Sequence, residues 1–266
     1  MRLLLSIIFL FASGQVLFGQ SETWKKERVL KHQSDLAVID QLSNIYVVHQ
    51  SELIKLNDEG DELARYSNKL FGQDLHLDVS NPMKILLFSA DQMQLVFLDS
   101  RLSEIQRNVD LFQEGFEQIS LAATSHSNGF WLFDPVNFRL IRYDQELKRS
   151  HESLNLAQII QEEFHPTDTK EYMNRLYLVD SKIGVVVFDI YGNYVKRIPI
   201  QGIMKLRFAD GRLVYRSTGG WEVFNLASSE IEQMKLNIEE VEDFDINRNS
   251  FLAKMGDQLF IFKPHR

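Results

Sequence analysis

The chain contains no cysteine. Disulfide bonds are therefore excluded, and the folded state must be stabilised by its buried core. A lipid-modified cysteine after an export signal is excluded for the same reason, so we do not expect a lipoprotein. A Gly-x-Ser-x-Gly elbow and a glycine-rich phosphate loop are also missing from the sequence, which leaves no recognisable motif for catalysis or cofactor binding. We predict no catalytic set, no cofactor and no metal.

Glycine and proline are scarce, with 13 and 5 residues among 266, and basic residues are outnumbered by acidic ones, 29 to 37. The low glycine and proline content excludes a collagen-like or low-complexity chain. The net charge of -8 argues against binding to nucleic acid or to an anionic membrane, because both need a basic patch. These values are typical of a globular protein large enough to bury a substantial core.

The one long apolar run lies at the start, where Arg2 is followed by LLLSIIFLFA and then by small residues. This pattern predicts a cleaved signal peptide over residues 1–19, and an uncleaved anchor is the alternative. Cleavage between Gly19 and Gln20 is favoured, and cleavage between Gly14 and Gln15 is the second possibility. We expect residues 20–266 to form one soluble domain, periplasmic or secreted, with no membrane span after cleavage.

The stretch GVVVFDIYGNYVKRI at residues 184–198 predicts a strand, a tight turn and a second strand. Asp189 caps the turn with its side chain, and Gly192 supplies the positive φ that the turn needs.

Similar stretches occur along the whole chain. Six hydrophobic segments end in a polar turn residue, and these residues are 36 to 45 positions apart: Asn57, Asp99, Asp144, Asp189, Asn225 and Lys263. Another hydrophobic strand, a turn and an inner strand precede each segment. Six copies of a four-stranded unit of this length predict an all-β, six-bladed β-propeller. The predicted blades cover approximately residues 35–70, 74–112, 118–156, 165–201, 203–238 and 241–266.

A family resemblance extends as a pattern from about residue 35 onward, and the first, third and fourth blades carry it most closely. WLFDPVNFRLIRYD (131–144) and LYLVDSKIGVVVFDIYGNYVKRI (176–198) resemble NHL-type propeller repeats. The resemblance implies membership of an NHL-like six-bladed propeller superfamily, which includes lactonases and lyases.

The sixth copy has material for only three strands before the sequence stops. Residues 23–32, which alternate Trp24, Val29 and Leu30 with charged residues, are predicted to supply the missing outer strand and to close the ring. A flexible tail is the alternative.

Binding sites of propellers lie over the central channel or on the rims. Residues at the starts of the inner strands are therefore candidates for contact with a ligand or partner, namely Asp35, Asp74, His76, His165, Asp168, Lys205 and Asp243. A metal bound by His76 and His165, with Asp74 or Asp168 as third ligand, is a less favoured alternative to solvated histidines.

The connectors between blades carry large apolar residues, namely Phe71, Phe112, Phe116, Ile159, Ile160 and Phe164. One interpretation is that they seal the gaps between blades. The other is that they form an apolar docking patch on one rim. Residues 154–166 also predict a short helix, with Asn155 as its N-cap and Pro166 as its stop.

These observations favour an exported, non-enzymatic propeller that docks a protein or peptide partner in the cell envelope, as in an outer-membrane or secretion assembly. The alternative is a lactonase-like hydrolase or lyase that acts on a small molecule at the channel mouth, and binding of a carbohydrate is a third reading.

Overall fold

The protein is a six-bladed β-propeller in which each blade has four antiparallel strands, and the last blade carries one more short strand in parallel pairing. The structure is a computed structural model, and it describes residues 23–68, 72 and 74–265. The predicted signal peptide and Phe71 lie outside the described residues. No helix among the described residues is long and apolar enough to cross a bilayer.

The strands follow the chain from the inside of each blade to its outside, apart from β1 (Thr23–Lys31) and β22 (Lys235–Leu236), which both lie on the outer side of the last blade. Blade 1 contains β2 (Leu36–Ile39), β3 (Ile45–His49), β4 (Glu52–Leu56) and β5 (Glu62–Ser67). Blade 2 contains β6 (Leu75–Asp78), β7 (Ile85–Ser89), β8 (Gln94–Leu98) and β9 (Val109–Asp110). Blade 3 contains β10 (Leu121–Thr124), β11 (Phe130–Asp134), β12 (Arg139–Tyr143) and β13 (Arg149–Glu152).

The second half repeats this order after the helix α1 (Leu156–Ile160). Blade 4 contains β14 (Asp168–Tyr172), β15 (Arg175–Asp180), β16 (Gly184–Asp189) and β17 (Tyr194–Ile198). Blade 5 contains β18 (Phe208–Ala209), β19 (Arg212–Ser217), β20 (Gly220–Asn225) and β21 (Ile231–Gln233). Blade 6 contains β23 (Asp243–Ile246), β24 (Phe251–Met255), β25 (Gln258–His265), then β1, then β22 (Lys235–Leu236).

Both ends of the described chain meet in blade 6. β1 pairs antiparallel with β25, and Thr23 lies opposite His265. On its other side β1 pairs in parallel with β22, which follows the outer strand of blade 5. Trp24 is buried against Phe251, with ring centroids 6.3 Å apart, whereas Val29 is exposed.

The hydrophobic core is divided among the spaces between blades. The buried side chains of the described residues form six clusters, and each cluster packs between two adjacent blades. A middle strand such as β16 is therefore buried on both faces and has a continuous apolar sequence, whereas the outer strand β5 is largely exposed and polar.

The predicted turn between the third and fourth strands is confirmed in five blades. In blade 4, Asp189 Oδ1 accepts hydrogen bonds from the Tyr191 and Asn193 N–H groups, and Gly192 has a φ of 86°. The equivalent bonds form at Asn57, Asp99 and Asp144. In blade 5 the turn is one residue longer, and Asn225 Oδ1 accepts hydrogen bonds from the Ala227 and Ser228 N–H groups. The equivalence was wrong for Lys263, which lies inside β25, because the last blade takes its outer strand from β1.

The predicted helix is shorter than expected. Asn155 is its N-cap, since Asn155 Oδ1 accepts a hydrogen bond from the Ala157 N–H. The helix ends at Ile160, because Gln161 adopts a left-handed conformation and caps the carbonyl of Ala157. Pro166 lies beyond this end and does not stop the helix.

Candidate functional site

The six inner strands surround a central channel with a cavity of about 180 Å³. Because each inner strand runs from one face of the ring to the other, the segments that enter these strands lie on one face. The turns between the second and third strands of each blade lie on the same face, which we call the mouth face. The channel wall contains several charged side chains, namely Asp78, Asp168, Lys170, Lys205, Arg207 and Asp245.

Arg207 is buried at the centre of this charged group. Its Nε donates a hydrogen bond of 2.7 Å to the Phe244 carbonyl of blade 6 and lies 3.3 Å from Asp245 Oδ1. Asp168 and Asp243 each lie 3.7 Å from its guanidinium. Burial alone would lower the pKa of Arg207, but the carboxylates of Asp245, Asp243, Asp168 and Asp78 outweigh it and raise the pKa above its ordinary value. The charged arginine therefore joins blade 5 to blades 4 and 6.

Two carboxylates of the channel wall are bound by backbone groups of the next blade. Asp168 Oδ2 accepts a hydrogen bond of 2.8 Å from the Leu206 N–H, which joins blade 4 to blade 5. Asp245 Oδ2 accepts one of 2.9 Å from the Ile39 N–H, which joins blade 6 to blade 1. Burial raises the pKa of Asp168 above its ordinary value even though Arg207 opposes the shift.

Asp78 plays the same part between blades 2 and 3. Its Oδ2 accepts hydrogen bonds from the N–H and the Oγ1 of Thr124, at 2.8 and 2.7 Å. Burial would raise the pKa of Asp78, but Lys170 and the hydrogen bonds from Ser80 and Thr124 hold it below its ordinary value. The inner-strand acids thus hold neighbouring blades together.

Glu171 joins blade 4 to blade 3 near the face opposite the mouth. Its carboxylate accepts hydrogen bonds from Ser125 Oγ, the His126 N–H and Trp131 Nε1, the last two at 2.9 and 2.7 Å. His126 Nδ1 also lies 2.9 Å from Glu171 Oε1. Arg142 completes the network, since its Nε donates to Ser125 Oγ.

The predicted channel-mouth residues are only partly brought together. His76, Asp168 and Lys205 line the channel. Asp243 is close by, because its carboxylate is paired with both Lys205 and Arg207.

The other predicted residues have partners elsewhere. Asp35 Oδ2 lies 3.4 Å from His49 Nδ1, and His165 is exposed beside Glu163, at 3.0 Å. His76 lies 3.3 Å from Asp74 instead of facing His165. Among the residues that the structure describes, no three His, Asp or Glu side chains are arranged to hold a metal ion.

Several residues of the charged network were missed from the sequence. Their signal is a charged residue within or next to an inner strand. Arg207 directly precedes β18 in MKLRFA, and Asp245 alternates with apolar residues in DFDI. The pairing of these charges could not be seen, because it depends on which strands become neighbours.

The prediction of an apolar docking patch was wrong for two of its residues. Phe116 and Phe164 are buried, the first against Tyr143 and the second against Phe138, with ring centroids 6.5 and 6.3 Å apart. Ile159 and Ile160 are half-buried in the same cluster as Phe164, whereas Phe112 is 57% exposed. The described connector residues therefore mainly seal gaps between blades, since those gaps must be filled for the blades to pack.

A cleft of about 320 Å³ opens on the mouth face between blades 5 and 6. Its floor is apolar and aromatic, with Trp221 and Phe244 in edge contact at 4.8 Å between ring centroids. Charged residues stand at its rim, namely Lys205, Arg216, Glu242 and Asp243. Met204, which also lines the cleft, is 58% exposed. This cleft was not predicted from the sequence.

The opposite face has a different character. A pocket of about 250 Å³ there is lined by polar residues, including Ser125, His126, Asn128 and Glu171. Among the described residues of its turns, the exposed apolar or aromatic side chains include Leu42, Met83, Met173 and Tyr191. This face offers polar groups and exposed apolar residues, whereas the mouth face offers a cleft with an aromatic floor.

No protein-family model and no curated protein matches the chain. Solved structures do match it. The WD40 domain of Neurospora crassa Pan2 is 9% identical with a TM-score of 0.62, over 93% of this chain and 97% of that one. A chain of the mitotic checkpoint complex is 9% identical with a TM-score of 0.59, over 100% and 99%. Catalytically inactive virginiamycin B lyase from Staphylococcus aureus, solved with quinupristin, is 12% identical with a TM-score of 0.56, over 85% and 79%.

At such low identity these similarities establish the propeller fold and nothing finer. Since no family model matches, the resemblance to NHL repeats is carried by the strand pattern alone.

Proposed function

We propose that the chain is an exported, protein- or peptide-binding propeller of the cell envelope, and that it holds its partner on the mouth face. The observation that carries the proposal is the cleft between blades 5 and 6. It is a concave, aromatic-floored site open to solvent, and Met204 is exposed beside it. Protein interfaces need such a centre that can be desolvated, with aromatic anchors and a polar rim.

The engagement of the channel carboxylates supports binding over catalysis. A hydrolase or lyase at the channel mouth would need acids or bases that face the substrate. Asp168 and Asp245 instead accept hydrogen bonds from backbone N–H groups of neighbouring blades, and Asp243 forms ion pairs with Lys205 and Arg207. Because these carboxylates are bound to groups of neighbouring blades, they do not face a substrate, and the lyase alternative is the weaker one.

Two further observations are consistent with the proposal. One of the similar solved chains belongs to the mitotic checkpoint complex, a protein assembly. Export is favoured by Arg2 and the apolar run that follows it.

The proposal is tested by photo-crosslinking in native cells. A photoreactive amino acid replaces Met204 on the mouth face, and a matched chain carries it at Met173, which is 68% exposed on the opposite face. We expect protein adducts from position 204 and not from position 173. Mass spectrometry identifies the crosslinked partner, and the purified partner must give the same adduct. N-terminal sequencing of the recovered chain should begin at Gln20.

Each other outcome counts against a stated part of the proposal. Adducts from position 173 alone would place the partner on the face opposite the mouth face and would contradict the proposed position of the site. A lack of protein adducts at both positions would contradict docking. A chain recovered from the cytoplasm with Met1 intact would contradict export.

A further inference from the structure

The inner strand of blade 5 is unusually short. β18 pairs Phe208 with Leu213 and Ala209 with Arg212, whereas the inner strand of blade 4 pairs all five of its residues with β15. Before β18 the chain bends away, because the Leu206 N–H donates to Asp168 and the Arg207 side chain reaches Phe244. The end of β19 from Tyr215 to Ser217 therefore extends past its inner neighbour.

The backbone of Arg216 points toward the space that β18 leaves open. In an antiparallel sheet, alternate residues turn their N–H and C=O groups toward the same neighbouring strand. The Val214 N–H donates inward to the Arg207 carbonyl at 2.8 Å. Arg216, two residues later, must point the same way, and within the described chain it has a strand partner on its outer side only, opposite Trp221. This is a short free sheet edge, which can accept another strand.

The aromatic cleft lies directly beside this edge. Tyr215, Arg216 and Trp221 form one wall, and residues from Val241 to Phe244 of blade 6 form the other. Its volume of about 320 Å³ has room for one large apolar side chain. A strand added along Arg216 would direct alternate side chains to its two faces, and one of them would reach the cleft.

The rim of the cleft carries one cation without an acidic partner. Lys205 is paired with Asp243, and Glu242 is paired with Lys254. Arg216 lies over the Trp221 ring, at 5.8 Å from its centroid, and forms no ion pair with any residue that the structure describes. An arginine held on an aromatic face is well placed to receive a carboxylate.

We infer that the cleft binds an extended segment of a protein partner in which a large apolar residue stands close to Asp or Glu. The segment adds to the free edge of β19 at Arg216, places its apolar side chain against Trp221 and Phe244, and presents its carboxylate to the Arg216 guanidinium. This mode is β-strand addition, in which backbone bonds give affinity and a pocket gives specificity. The inference rests on the proposed function and specifies the chemistry of the partner.

The inference is tested by selecting random octapeptides on the purified mature chain. The wild-type chain should enrich peptides that pair a large apolar residue with Asp or Glu within two positions. Arg216→Gln should keep the apolar preference and lose the acidic one. The matched control is Arg175→Gln, because Arg175 is exposed on the opposite face, and it should behave as wild type. Equal melting temperatures confirm that the variants are folded.

Synthetic versions of one enriched peptide then separate the contacts. Changing its Asp or Glu to the amide should weaken binding to the wild type about fivefold, as an exposed ion pair predicts, and should have no effect on Arg216→Gln. Methylating the backbone nitrogen that faces Arg216 should weaken binding about tenfold, because a backbone hydrogen bond is lost.

Three results would overturn the inference: no enrichment on the wild type, the same acidic preference on Arg216→Gln, or full affinity of the methylated peptide. If position 204 nevertheless crosslinks a protein partner, docking on the mouth face stands and only the strand-addition mode is lost. If crosslinking also fails, the proposed function falls with it.

Discussion

Glu171 shows how a single side chain can join two blades. Its side chain is 7% exposed, and within the described part of the chain its two oxygens receive hydrogen bonds from groups of blade 3. A carboxylate is suited to this place because it is purely an acceptor, and the surrounding Ser125, His126 and Trp131 groups can donate.

Replacing this acceptor should destabilise the fold. In Glu171→Gln one oxygen becomes an NH₂ group that faces donors, so at least one buried N–H or O–H loses its partner. We expect the free energy of unfolding to fall by about 1–3 kcal/mol, measured by urea denaturation. Glu230→Gln is the control, since Glu230 is exposed, and it should change stability by less than about 0.5 kcal/mol. Equal stability of the two variants would contradict the bridging role of Glu171.

At the scale of the element, the turn between the third and fourth strands uses either Asp or Asn. Asp189 and Asn57 each accept hydrogen bonds from the backbone N–H groups two and four residues later. The negative charge is therefore not needed for the geometry of the turn. Burial opposes ionisation of Asp189, but the hydrogen bonds from Asn193 and Tyr191 outweigh it and lower its pKa below the ordinary value.

The lowered pKa of Asp189 makes this turn sensitive to acid. Because the pKa is lower in the folded state, its stabilising effect is present above the unfolded pKa of about 3.9 and is lost as pH falls through the folded value. Asp189→Asn should keep its stability at neutral pH within about 1 kcal/mol and should lose less than wild type on acidification. Urea denaturation at pH 7 and at about pH 3 measures both effects.

The control for this prediction is Asp189→Ala. It removes the acceptor and should lose stability at neutral pH, because the two N–H groups lose their partner. An acid-induced loss in Asp189→Asn equal to that of wild type would contradict the assignment of this titration to Asp189.

The turns also show what can be predicted from sequence. An Asx turn is local, since Asp189 and its partners are within four residues of each other, and so the repeat, the blade number and the helix cap could be read from the chain. Contacts between blades could not. Phe116 and Tyr143, or Arg207 and Asp245, meet only after distant strands have become neighbours. The cleft was missed because it results from the late start of β18, which no residue type marks.

At the scale of the whole molecule, the ring has one place where distant parts of the chain meet. Lys31 lies opposite Gln258 in the pairing of β1 with β25. We expect this pairing to hold the propeller closed, because a ring of blades without it would present an unpaired strand edge.

A disulfide across this pair tests the expectation. Antiparallel partners have Cα atoms about 4.5 to 5.5 Å apart, which suits a disulfide. The double variant Lys31→Cys, Gln258→Cys introduces the only thiols of the chain. The free energy of unfolding of the oxidised double variant should exceed that of its reduced form by about 2–4 kcal/mol, measured by urea denaturation. Each single variant is the control. Failure of the bond to form, or a fold that melts earlier when oxidised, would contradict the closure.

The position of β1 between β22 and β25 also has a consequence for the order of folding. During synthesis β1 is made before both of its partners, which pair with it only after more than 200 further residues. Blades 1 to 4 can form as local hairpins meanwhile. β1 must stay unpaired until the end without recruiting another chain. β1 carries the charged residues Lys25, Lys26, Glu27 and Arg28. Charged side chains on a free strand discourage pairing with a strand of another chain, and so they protect β1 until its partners are made. The slowest step in forming the native ring is then the capture of its first strand by its last ones.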